Sequence, residues 1–231
     1  MKKLMELKEV IDLIKEIIET HKENVQETED YLAHSKESYK ITEEIVEKIL
    51  FYYPFLKERL NKREIALAAG LHDIGRPLKK DQLFHELRSA RYIEEEGLKK
   101  GVANNLKDVY RIAQMIRPHG FVFEQFSMAS EKEKFEFKDL DTALLIPRTW
   151  QESIVLYSDM ANRNGKRMFI KERLNEITKR YSLDGHWRTY NPSLQNAVEK
   201  AKKRIYEVCD RVEKLSQGKI KKEKIFIYGF I

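Results

Sequence analysis

All five prolines of this 231-residue chain fall where runs of helically spaced apolar residues end or begin, and that agreement limits the fold more than any other feature. Leu4, Val10, Leu13, Ile14, Ile17 and Ile18 recur at helical spacing, as do Ile41, Ile45, Ile49 and Leu50. Pro54 follows ILFYY, Pro77 follows HDIGR, Pro118 precedes His119, Pro147 precedes a helix and Pro192 follows Asn191. Helices are expected near 3–20, 25–51, 57–73, 84–97, 103–117, 149–163, 169–181 and 192–216. Thr149 is expected to cap the helix that follows it, and Asn191 the last one, with Pro192 in its first turn. The stretch 120–146 lacks a clean helical period and reads as an irregular loop or lid, while the terminal KIFIYGFI reads as a strand or a docked segment. The chain is therefore expected to be all-α, with no internal repeat or low-complexity linker.

Composition narrows the class. The length suits one substantial domain, and 42% hydrophobic with 35% charged residues describes a globular core under a heavily solvated surface. A lone Cys209 in a periodic segment is read as a small core residue, which fits a reducing compartment. The opening MKKLMELKEVIDLIKEIIE starts like a secretory leader, but Glu6, Glu9 and Asp12 interrupt the apolar stretch a leader needs, so an amphipathic helix is expected. No apolar run approaches the roughly 20 residues of a membrane span, so the expectation is a cytoplasmic protein without a membrane partner. Of the formal charge of +6, the segment 197–231 holds +5, from ten Lys/Arg against five Asp/Glu. Without a recognised nucleic-acid motif that reads as a solvated helix face, and nucleic acid is not the expected partner.

The chemistry concentrates around LAAGLHDIGRP, a small-residue apolar helix ending in adjacent His72 and Asp73, with Gly75 and Pro77 as the stop. Neighbours on a helix point about 100° apart, yet at a helix end both can turn to one ion, the imidazole giving nitrogen and the carboxylate oxygen. A His-Asp pair beside a glycine turn is commonplace taken alone. Here His34 lies upstream, His85 and His119 downstream, and Asp159 completes the series, whereas His21 and His186 fall outside it and read as surface or packing residues.

In that order the chain resembles the HD superfamily of metal-dependent phosphohydrolases, of the HDIG type, across roughly residues 25–185. The resemblance rests on YLAHSKES, GLHDIGRP, LFHELRSARYIEEEG, MIRPHG and IVLYSDMANRNGK, and SDMANRNGKRMFIKERLNEITKRY is similar to the helix pair that follows the distal aspartate in many members. It implies an HD-domain helical bundle; with the helix pattern around it, the domain is expected to span 25–216, with an N-terminal amphipathic helix (1–24) packed on it and a C-terminal tail (217–231). It also implies His34, His72, Asp73 and Asp159 as ligands of a first metal, with Asp73 bridging to a second held by His85 and His119. Members often carry Arg three residues after the first His; Glu37 stands there, which removes a phosphate contact from that position.

The activity implied is hydrolysis of a phosphoester, on a nucleotide or related small phosphorylated metabolite, by a metal-activated water whose pKa falls towards about 7. Nitrogen and oxygen donors without thiolate suit Fe, Mn, Co or Ni, as one or two ions. Asp73 and Arg76 are the catalytic candidates. Arg76 either pairs with two phosphate oxygens or caps the preceding helix, and Lys79, Arg117 and Arg163 are further substrate-binding candidates, as is Lys80. Phe121, Phe123 and Phe126 either stack a base or pack a core. No residue reads as the general acid. Two other functions share the motif set: a mixed-valent di-iron oxygenase with the same six ligands, and a non-catalytic nucleotide-sensing module. Amphipathic terminal helices are compatible with a homodimer.

Overall fold

The structure, a computed structural model, describes residues 4–25, 27–81, 83–183 and 192–228. The fold is all-α. Its helices are α1 (Leu7–Thr20), α2 (Thr28–Tyr52), α3 (Lys62–Leu71), α4 (His85–Glu96), α5 (Leu106–Ile116), α6 (Val122–Met128), α7 (Glu131–Lys134), α8 (Trp150–Met160), α9 (Ile170–Leu183), α10 (Pro192–Ser216) and α11 (Lys222–Tyr228). The short strands β1 (Asn162–Arg163) and β2 (Lys166–Arg167) form an antiparallel hairpin.

Helices α2, α3, α5, α8 and α10 pack around a common core, and α1 lies across α2 and α3 through Val10, Leu13, Ile14, Ile17 and Ile18. The small residues of α3 allow this crowding. Ala66, Ala68 and Ala69 are fully buried, and a Cβ at Gly70 would stand 3.1 Å from Val10 Cγ1 and 3.2 Å from the Tyr39 ring. Cys209 is buried in the same core, where desolvation raises its thiol pKa and leaves it inert.

Several sequence expectations need correction. The third helix begins at Lys62, not near 57, because Pro54–Leu56 forms a 3-10 turn and Asn61 supplies the cap to Glu64 N. The eighth helix stops at Met160, and Asn162 and Arg163 pass into the hairpin. The stretch 120–146 contains α6 and α7 with short 3-10 turns; its Phe residues follow no long helical period because each helix is brief, and α6 with the 3-10 turns packs on a separate small core of Phe84, Leu87, Val122, Phe126, Phe137 and Leu145, while α7 buries no residue. Phe121 and Phe126 are buried and Phe123 packs against that small core, so packing is the use the structure gives them. The described part of the tail is helical rather than a strand, and it is docked: Trp150 Nε1 donates to Ile225 O at 3.0 Å and Ile225 is fully buried. The Thr149 cap forms a capping box with Glu152. Asn191, His186 and residues 229–231 lie outside the described residues. No described helix is long and apolar enough to cross a membrane.

Candidate metal centre

Four helix ends and one helix flank bring six donors together. His72 caps the C-terminus of α3 and Asp73 begins the turn after it; His119 follows the end of α5; Asp159 lies in the last turn of α8; His85 opens α4; and His34 projects from the second turn of α2. Three of these ends are C-termini, whose unpaired carbonyls carry partial negative charge and favour a cation. All six side chains are buried, from His72 at 0% to His34 at 7% exposed.

Gly75 sets the spacing. A Cβ there would stand 2.4 Å from Ser89 N and 2.5 Å from His85 O, so only glycine lets the turn after Asp73 lie flat on the first turn of α4. Gly75 N donates to Ser89 Oγ at 2.8 Å, and that hydroxyl donates to His85 O at 2.8 Å. The same turn is tied from the N-terminal side, where Tyr31 Oη donates to Asp73 O and Asn24 Nδ2 to Pro77 O. Phe84, immediately before His85, adopts a left-handed backbone (φ 58), a strained conformation for a bulky residue. Its ring is held by Phe126 and Phe137 at centroid distances of 5.3 and 6.0 Å.

Asp73 divides the donors into two sets. Its Oδ2 lies 3.5 Å from His72 Nε2 and 4.0 Å from His34 Nε2, and Asp159 Oδ1 stands 3.2 Å from His34 Nε2 and 3.6 Å from His72 Nε2. On the other side, Asp73 Oδ1 lies 3.1 Å from His85 Nε2 and 3.5 Å from His119 Nε2. Close approach here is not hydrogen bonding: Asp73 Oδ1 and His119 Nε2 are buried without a hydrogen-bond partner. Two lone-pair atoms, desolvated and turned toward each other, lack the positive charge that would satisfy both. Ligand atoms of His34, His72 and Asp73, of His72, His119 and Asp159, and of Asp73, His85 and His119 each gather within 4.8 Å, so the residues fit divalent ions.

The outer nitrogens of the rings explain the inward lone pairs. His72 Nδ1 meets Ala69 O at 2.6 Å and His119 Nδ1 meets Ile116 O at 2.6 Å, each using a carbonyl from the last turn of the preceding helix; Ile116 O also accepts from His119 N at 3.3 Å. His34 Nδ1 meets Asn162 Oδ1 at 2.6 Å. Asn162 Nδ2 donates to Ser158 O and to Ser38 Oγ; since a backbone carbonyl only accepts, the amide orientation is fixed, its oxygen faces His34, and His34 carries a proton on Nδ1. Each of these three Nε2 atoms thereby faces inward, where it could serve a cation as ligand once any proton on it is displaced. Sequence reasoning missed Asn162, since an Asn three residues past a candidate aspartate carries no signal until the chain leaves the helix and turns it back onto α2.

Electrostatics agree with cation binding. Burial opposes a charge on Asp73, but Arg76 and the His72 imidazole outweigh it and hold the carboxyl well below its usual range. Burial likewise opposes the charge on Asp159, and His34 and His72 reverse it. His72, despite burial, is raised to about 9 by Asp73 and Asp159, so without metal a proton sits between the two acids. Burial, then Arg76, keeps His85 below the ordinary imidazole value.

Arg76 lies closest among the substrate-binding candidates, its Nε 2.6 Å from Asp73 Oδ2 and its side chain 32% exposed. Its side chain therefore reaches the carboxylate rather than only closing the helix. Lys79 pairs with Asp81 at 3.0 Å, Arg117 with Glu94, and Arg163 with Glu176 at 3.5 Å. Glu37, at the position where an Arg was expected by resemblance, binds Arg167 Nε at 2.6 Å and anchors the hairpin on α2 together with Glu44.

The HD domain family model matches residues 31–146, half of the chain, and the chain belongs to that family, whose members are commonly divalent-metal-dependent hydrolases. The match takes in His34, His72, Asp73, His85 and His119; Asp159 lies beyond it and joins the others through α8. No curated protein and no solved structure matches the chain.

Proposed function

We propose that this protein hydrolyses a phosphoester of a nucleotide or a related small phosphorylated metabolite, with His34, His72, Asp73 and Asp159 holding one divalent ion and Asp73, His85 and His119 a second. The observation that carries the reading is the split of the Asp73 carboxylate, one oxygen toward each histidine pair, with Oδ1 orphaned among buried nitrogens. Bound there, Fe, Mn, Co or Ni would supply an acidified water as nucleophile and positive charge for the phosphoryl oxygens. The residues of the chain do the rest. His34 and His72, fixed by Asn162 and Ala69, keep their lone pairs inward, and buried Asp73 and Asp159 stay ionised. Arg76, oriented by Asp73 and partly open to solvent, is the guanidinium that orients an anionic substrate. Burial of all six donors keeps bulk water from competing for those charges. We further propose 25–216 as the catalytic unit, with 1–24 packed on it and 217–231 as an appended tail, in a cytoplasmic protein whose partner is its substrate.

The test is metal analysis of the purified protein, then a phosphate-release screen over mononucleotides, cyclic dinucleotides and dinucleoside polyphosphates with each metal in turn. Release that continues without oxygen is expected. Turnover that requires oxygen, or a retained nucleotide never cleaved, would reject hydrolysis.

A further inference from the structure

Glu86 follows His85 and is as buried as the metal donors, at 1% exposed, yet none of the chemistry above uses it. Its Oε2 lies 3.3 Å from His85 Nδ1, the ring nitrogen turned away from Asp73, and has no hydrogen-bond partner. Its Oε1 lies 3.2 Å from where a Cβ would stand at Gly120, which takes φ +64 directly after His119. The carboxylate thus sits behind one histidine of the second set and against the turn that carries the other. Among the described residues its ion-pair partner is His85; Arg88, on the same helix, feels the Glu86 charge at longer range but is held by the Asp81 carbonyl at 2.8 Å.

The two donor sets differ in charge. His34 and His72 are backed by neutral acceptors, an amide and a carbonyl, and their set owns Asp159 besides its share of Asp73. His85 and His119 share Asp73; His119 also gathers with His72 and Asp159 within 4.8 Å, but the close approaches of Asp159 Oδ1 are to His34 and His72, so His85 and His119, among the described donors, bring no carboxylate of their own. An ion there meets less than half the negative charge that the first meets. In a buried site that difference is poorly screened.

We propose that Glu86 is the positioning residue of the second donor set: its carboxylate, close behind the His85 ring, supplies the negative charge the set lacks, so that the second site retains a divalent ion. The proposal rests on the two-ion reading. Carboxylates behind metal-bound histidines typically change affinity by about 10–100-fold when removed.

The experiment titrates Mn2+ into the metal-free full chain, followed by calorimetry and by the electron paramagnetic resonance signal of coupled ions. Wild type is expected to take two ions. Glu86→Gln keeps the shape and removes a buried charge, so the fold should persist; it should bind the first ion unchanged and the second about 10–100-fold more weakly. Glu86→Asp, which keeps the charge, should restore much of the loss. Equal constants in wild type and Glu86→Gln overturn the proposal, as does equal weakening by Gln and Asp. Wild type taking up fewer than two ions sinks the two-ion reading itself, a result separable from either.

Discussion

At the scale of single residues, the proposed centre depends on atoms that would never touch an ion. Gly75 is one: a methyl group there meets backbone atoms of Ser89 and His85 at 2.4 and 2.5 Å, which no side-chain rotation relieves. Gly75→Ala is expected to destabilise the protein by about 2–3 kcal/mol in denaturant melts and to lower metal affinity as well. Asn162 is another. Asn162→Ala removes the acceptor that keeps the His34 proton on Nδ1, and first-site affinity should fall about 10–100-fold; nitrogen NMR of metal-free protein should then show His34 sampling both tautomers, and a single Nδ1-protonated form in the variant would contradict the assignment. His72 gives a pH dependence with a definite sign. Its value in the folded chain, about 9, lies above the ordinary 6.5, so metal-free protein gains stability from this group fully below about 6.5 and loses it as pH rises through about 9. Metal must displace that proton. Calorimetry near neutral pH in buffers of different ionisation enthalpy should therefore detect proton release on metal uptake, with affinity rising toward pH 9.

At the scale of elements, helix existence was legible because period and punctuation agreed, as in α2, where Ile41, Ile45 and Ile49 are all buried. Helix ends were less legible: a hydrogen bond such as the one Glu64 N donates to Asn61 Oδ1 decides where α3 begins, and Asn is ordinary at many positions. The segment 120–146 conceals its helices for a different reason. Its helices are too short for a period to emerge, and its order comes from a core completed by Phe84 and Leu87, about forty residues earlier. That core supports the strained Phe84 backbone and hence the entry of His85. Phe126→Ala should cost about 3–5 kcal/mol if the small core unfolds with the whole. Hydrogen exchange is expected to show 120–146 and the start of α4 opening ahead of α2 and α3; uniform acceleration across the bundle would contradict a separate small core.

At the scale of the whole molecule, the donors come from α2, α3, α4, α5 and α8, and the centre exists only where those helices meet. Their order along the chain made the set legible in the sequence, because His34, the 72/73 pair, His85, His119 and Asp159 recur in one sequence pattern. The supports were hidden, since Asn162, Glu86 and Tyr31 are common residue types whose meaning appears only when α8, α4 and α2 are packed. Asp73→Ala removes the one side chain shared by both sets and should abolish turnover and most metal binding while the far-ultraviolet helical signal remains. The most direct test is anomalous diffraction from crystals grown with Mn2+. The account predicts two peaks, one among His34, His72 and Asp159 and one between His85 and His119, with Asp73 reaching both. Peaks elsewhere, or none at these side chains, would contradict it.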